Sequence, residues 1–144
     1  MPDEGLRHRL YDLYAAYAEG RINDALISFD DEVTMTSHAP VDVFPYLGRQ
    51  QGKTAIAATM RAAHSNFEYL SYTPVFMVTE KETDAAIVLA RLRQRTTNRI
   101  IQLFVADFFR LENGRIVELQ EFMDSFDAVQ QVLGREIALA PDKR

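Results

Sequence analysis

Leu6, Leu10, Leu13, Tyr14 and Tyr17 recur three or four residues apart, a spacing that predicts an amphipathic helix over about 4–19, closed by Gly20. Ala25, Leu26, Ile27 and Phe29 give an apolar side to a second, shorter helix over 23–29, which Asp30-Asp31 should break. Residues 32–37 alternate as a strand does until Pro40 ends it. The next stretch, 39–50, holds Val41, Val43, Phe44, Tyr46 and Leu47 between Pro40, Pro45 and Gly48, too apolar for a solvated loop, so it should cover something. A third helix is expected over 53–65, entered through Gly52. Beyond it the period changes from helical to twofold. Strands are predicted over about 67–79 and 85–95, with polar turns at 80–84 and 96–98, and a hairpin over 100–124. The last helix starts at Asp124 or Ser125 and stops at Gly134.

The register of this hairpin decides which side chains meet in the interior, because a slip of one residue sends every side chain to the other face. Asn113-Gly114 is a strong two-residue turn signal. That turn would continue the face of Leu103, Val105, Asp107 and Phe109 onto Glu118, Gln120 and Phe122, which is a mixed face. A three-residue loop of 112–114 continues it onto Val117, Leu119, Glu121 and Met123, which is almost wholly apolar, and is the preferred register. Asp107 would then face Leu119, and Glu121 would be its diagonal neighbour, roughly 5.5 to 8 Å away. Ala86, Val88, Ala90 and Leu92 should join this inner face. Arg91, Arg93 and Arg95 should lie outside with Ile87, Leu89, Phe104, Phe108 and Phe122, and that much exposed aromatic surface predicts a homodimer.

With 144 residues, 47% hydrophobic and 26% charged, the chain suits one soluble domain spanning 1–144. A net charge of −5 argues against a nucleic-acid partner. The absence of cysteine removes disulfides and thiolate chemistry. No apolar run reaches the ~18 residues of a membrane span and Met1-Pro2-Asp3-Glu4 does not read as a signal peptide, so a cytoplasmic protein with no membrane partner is expected. Three scattered histidines show no metal-ligand spacing, and neither a metal nor a cofactor is expected. The order of elements is that of an α+β fold, a curved antiparallel sheet wrapped around three helices with a fourth at the C-terminus, and such a cone encloses a cavity.

Several stretches carry a family resemblance: Tyr17-Ala18-Glu19-Gly20 through Phe29-Asp30-Asp31, Gly52-Lys53-Thr54-Ala55-Ile56, Val105 through Val117, and Glu121-Phe122-Met123-Asp124. In these the chain resembles the nuclear transport factor 2-like superfamily, in its SnoaL-like and ketosteroid isomerase-like branch. The resemblance implies a cystatin-like cone and a pocket for a small hydrophobic ligand. In ketosteroid isomerases an Asp at the place of Asp107 is kept protonated by its apolar site and donates to the substrate oxyanion, a case well described for that enzyme. The family's general-base Asp would fall where this chain has Ser37-His38, so its carboxylate is missing there. The family's helical Tyr aligns near Leu13, beside Tyr14. In epoxide hydrolases of the superfamily an Arg stands two residues before the Asp, where this chain has Val105.

From the residues themselves, burial among Leu103, Val105, Phe109 and Leu119 should raise Asp107, and Glu121 nearby should push one of the two acids further up. His38 is the candidate replacement base, since an imidazole suits proton transfer near neutral pH. Tyr14, Tyr17, Phe44, Met60, Val105, Phe109, Leu119 and Met123 are the expected pocket lining, and His64 is read as a helix-end partner of the dipole. The function expected is a cofactor-free isomerase, cyclase or hydratase acting on a hydrophobic carbonyl or hydroxyl compound. The competing reading is a non-catalytic ligand-binding or dimerisation domain.

Overall fold

The computed structural model describes residues 3–138; residues 1–2 and 139–144, part of the expected 1–144 domain, lie outside it. Helix α1 spans Glu4–Ala18, and the Asp3 side chain caps it by accepting from the Leu6 N–H at 2.9 Å. Helix α2 is a single turn, Ile22–Ala25, followed by β1, Phe29–His38. The expectation of a helix through Phe29 is therefore corrected. Phe29 is wholly buried as the first residue of a strand, and Asp30-Asp31 fall in an irregular stretch of β1 instead of ending a helix. A strap over 39–48 leads to a three-residue strand β2, Arg49–Gln51, which the sequence pattern did not suggest.

Helix α3, Lys53–Asn66, begins at Gly52, whose φ of 87° suits glycine and whose N–H donates to the Val33 carbonyl at 2.7 Å. Strands β3 (Phe67–Thr79), β4 (Thr83–Gln94), β5 (Ile100–Glu112) and β6 (Arg115–Met123) follow, then α4 (Ser125–Leu133) with Asp124 as its N-cap and Gly134 left-handed at its end. The sheet order is β2-β1-β6-β5-β4-β3. The meander β3 to β6 is antiparallel as expected, but β1 runs parallel to β6, so the sheet is mixed. The chain between them, through the strap, β2, α3 and β3 to β5, supplies the crossover that parallel neighbours need.

The β5–β6 register combines both alternatives. The turn is the two-residue one, with Asn113 at φ 50° and Gly114 at φ 75°, and Glu112 faces Arg115. A bulge then inserts Val117, because Leu111 faces Ile116 while Arg110 faces Glu118. The extra residue restores the face parity of the three-residue loop, so Leu119, Glu121 and Met123 do share a face with Val105, Asp107 and Phe109. The pairings move by two residues, and Asp107 stands directly opposite Glu121.

Helices α1 and α3 pack on the inner face of the sheet, where Leu10, Ile56, Val88, Ile101 and Ile116 are almost fully buried. The outer face exposes Ile87, Phe104, Phe108 and Phe122. Among the described residues no helix is long and apolar enough to cross a membrane.

Candidate active site

Between the helices and the sheet lies a mostly apolar cavity of about 100 Å³. All eight residues expected to line it do so, with Leu13, Met35, Tyr46, Tyr69, Tyr72 and Leu103 among the others. The strap closes one side. It is tied down by the Ser37 N–H on the Gly48 carbonyl at 2.8 Å and by Thr59 and Gln50 donating to the Tyr46 carbonyl at 3.2 and 3.3 Å. This anchoring seats Phe44 inside, 6% exposed, with its ring 6.1 Å from that of Phe67. The apolar segment does cover something, and it is the cavity.

Two carboxyl groups meet in the wall. Asp107, only 3% exposed, accepts from the Tyr14 hydroxyl at 2.7 Å on Oδ2. Its Oδ1 is buried and takes no hydrogen bond from an N–H or hydroxyl among the described residues. Glu121 stands opposite on β6, where paired Cβ atoms sit ~4.5–5.5 Å apart, and it lines the cavity. Ser37, its parallel neighbour on β1, has its hydroxyl 3.5 Å from Glu121 Oε1. Burial raises both acids. For Glu121 the charge of Asp107 and a hydrogen bond to it add to the rise, whereas Asp107 is pulled back by hydrogen bonds from Tyr14 and Glu121. Both carboxyls are therefore held above their ordinary range, Glu121 the more strongly.

His38 does not belong to this group. Alternation along β1 turns Val33, Met35 and Ser37 inward, so His38 is exposed on the outer face, stacked 4.2 Å from the Phe122 ring with Nε2 3.2 Å from Gln120 Oε1. Its expected place as a base in the pocket is corrected accordingly. Ser37 is the residue of that pair which looks inside. Its neighbour on β6 is Glu121, whose carboxyl also lines the cavity.

Sequence reasoning also missed an aromatic wall. Tyr69 and Tyr72 are three residues apart, and strict alternation would put them on opposite faces. A bulge at Leu70 lets Tyr69 face Leu92 and Tyr72 face Ala90, both inner residues. The Tyr17 and Tyr69 hydroxyls are 2.6 Å apart. His64 stacks on Tyr69 at 4.3 Å and must donate from Nε2 to the Tyr17 carbonyl at 2.7 Å, since a carbonyl only accepts. Burial lowers the His64 pKa. Asp84, expected in a polar turn, is instead the first inward residue of β4 and 5% exposed. Burial pushes it up to about 7, and neither carboxyl oxygen has a well-aligned partner among the described residues.

The comparisons with known proteins agree with this architecture. The family model of the SnoaL-like domain matches residues 10–119. The chain belongs to the SnoaL-like domain family. Among solved structures, this SnoaL-like domain is similar to a Rhodopseudomonas palustris protein named provisionally as an isomerase, at 28% identity and a TM-score of 0.81, covering 94% of this chain and 100% of that one. A nuclear transport factor 2-like protein from Burkholderia xenovorans LB400 is 19% identical with a TM-score of 0.76, over 92% of this chain and 98% of that one. A protein of ketosteroid isomerase-like fold from Catenulispora acidiphila, solved with trimethylamine, is 13% identical with a TM-score of 0.75, over 92% and 97%. No curated protein matches the sequence. The SnoaL-like match ends two residues before Glu121, so that acid comes from this chain's own structure and not from the matched stretch.

Proposed function

We propose that this SnoaL-like domain is an acid/base enzyme that needs no cofactor and moves a proton within a small hydrophobic carbonyl or hydroxyl compound, as an isomerase, cyclase or hydratase. The observation that carries this reading is the pairing of Asp107 with Glu121 in the wall of an apolar cavity. Two carboxyls that share one proton supply an acid and a base at the same place. The proton on Glu121 passes to the substrate oxygen as the carboxylate side of the pair takes a proton from the adjacent carbon. The C–H electrons then form the C=C bond of an enol. Return of a proton to another carbon, with loss of the enol proton to the pair, restores the enzyme. Tyr14 fixes Asp107 as the acceptor, so Glu121 becomes the leading acid, a reversal of the roles expected from sequence. The similarity to the Rhodopseudomonas palustris protein supports the same class.

Deuterium exchange tests this. Small ketones incubated in heavy water and followed by NMR should exchange their α-hydrogens faster with the protein than without it. Glu121→Gln should slow that gain roughly 10²- to 10⁴-fold. No acceleration across such a set, with the fold intact, would leave the second reading, a non-catalytic binding domain, which the modest cavity volume favours.

We also propose a homodimer through the outer sheet face. Phe104, Phe108 and Phe122 are 61%, 50% and 41% exposed, and Arg91 and Arg93 share that face with Glu118 and Gln120, so a twofold axis can set basic ends against acidic ones. Phe108→Glu should give a monomer in sedimentation equilibrium.

A further inference from the structure

The cavity is lined by five tyrosines, and their hydroxyls are not equally free. Tyr14 is committed to Asp107, and Tyr17 and Tyr69 are committed to each other. Tyr46, on the strap with its ring 6.4 Å from Phe44, has no hydroxyl hydrogen bond among the described residues, but neither acid influences it, as both do Tyr72. Tyr72 is different. Its ring is held by three others, Tyr14 at 6.0 Å, Tyr17 at 5.2 Å and Tyr69 at 5.5 Å, yet among the described residues its hydroxyl makes no hydrogen bond. The residue opposite it on β4 is the small Ala90, and both line the cavity. A fixed ring with an unused donor beside a small residue is a binding position prepared in advance.

Resting on the reading of Asp107 and Glu121 as the acid/base pair, we propose that Tyr72 donates the hydrogen bond that seats the ligand's oxygen beside that pair, and that the ligand is no larger than one ring. Burial and the nearby Glu121 and Asp107 keep the Tyr72 phenol protonated, so it donates. The size limit comes from the volume. An apolar cavity of ~150 Å³ accommodates benzene, and this one offers about 100 Å³ with Phe44 and the strap in place. A one-ring enone, enol or phenol therefore requires the lining side chains to give way slightly, and fused rings would require Phe44 and the strap to move. The oxygen end meets Tyr72 and Glu121, and the apolar remainder meets Leu103, Met60 and Leu119.

The test uses 4-nitrophenol as the one-ring probe and 2-naphthol as the two-ring probe, with titration calorimetry on the wild type, Tyr72→Phe and Tyr14→Phe. Because Tyr72 donates to nothing among the described residues, Tyr72→Phe should keep the wild-type melting temperature while binding 4-nitrophenol roughly 10- to 100-fold more weakly. Tyr14→Phe should weaken it less, and 2-naphthol should bind only once Phe44→Ala has enlarged the cavity. Undiminished 4-nitrophenol binding by Tyr72→Phe overturns the assignment of the donor. Equal binding of both probes by the wild type overturns the size limit, and no binding of 4-nitrophenol overturns the proposal as a whole. The acid/base reading is judged separately by the deuterium exchange of Glu121→Gln, so either result can fail without the other.

Discussion

The two faces of one sheet behave as different solvents. Asp107 and Phe108 are adjacent on β5, yet one is 3% exposed among aromatic rings and the other is half exposed to water. On β6, Glu118 lies outside, 3.7 Å from the Arg110 guanidinium, while Glu121 turns inward to meet a second acid and, among the described residues, no cation. The outer pair is a surface ion pair of small value. The inner pair is raised by burial, Glu121 further still by the charge of Asp107. Residue type does not distinguish these acids, and the pleat and its bulges do.

The contrast is broken most strongly by truncating the same ring on either face. Phe109→Ala removes a side chain that is 3% exposed and should cost about 3–5 kcal/mol in urea denaturation, whereas Phe108→Ala should cost under ~1 kcal/mol in the monomer. Equal costs would mean that the faces are not the different environments described.

Next in size is a pH effect. Asp84 is raised from an ordinary 3.8 to about 7 by burial, so the folded chain keeps a proton that the unfolded chain releases between about pH 4 and 7. Its contribution is whole below pH 4 and is lost as pH rises towards 7. The stability of the wild type relative to Asp84→Asn should therefore fall by on the order of 2–4 kcal/mol across that window. A constant difference from pH 4 to 7.5 would show that Asp84 is not buried in this way.

Much of this was legible in the sequence, and the failures share a cause. Helical spacing gave α1 and α3, and the alternation of Ala86, Val88, Ala90 and Leu92 gave the inner face of β4, because burial on one side imposes period on composition. Asn113-Gly114 named the turn. What alternation does not reveal is a bulge, since one inserted residue reverses the face of all those beyond it. The bulge at Val117 brought Glu121 opposite Asp107 instead of diagonal to it, and that at Leu70 gathered Tyr69 and Tyr72 on one wall. His38 was misplaced for a simpler reason. Met35 and Ser37 already claimed the inward positions of β1, and the alternation that placed them sends His38 outside. Asp84 resembled its polar neighbours Glu80 and Glu82, and only its pairing with Thr79 and Phe109 reveals it as an inner residue.

Two smaller effects sharpen the comparison further. Tyr14→Phe leaves Asp107 without its 2.7 Å donor and should cost roughly 1–3 kcal/mol at neutral pH. The loss should shrink in acid as the carboxyl gains its own proton, which denaturation at two pH values will show. His38→Ala, on the outer face, should change monomer stability by no more than ~0.5 kcal/mol and leave deuterium exchange unaltered. A loss of exchange in that variant would return His38 to the chemistry.

At neutral pH Asp107 and Glu121 are expected to hold one proton between them. Carbon-13 NMR of the side-chain carboxyls, assigned with Asp107→Asn and Glu121→Gln, reads this directly. Glu121 is expected to titrate well above the ordinary carboxylate range, and Asp107→Asn to bring it down towards that range. Two independent titrations near the ordinary carboxylate values, unaffected by either substitution, would contradict it.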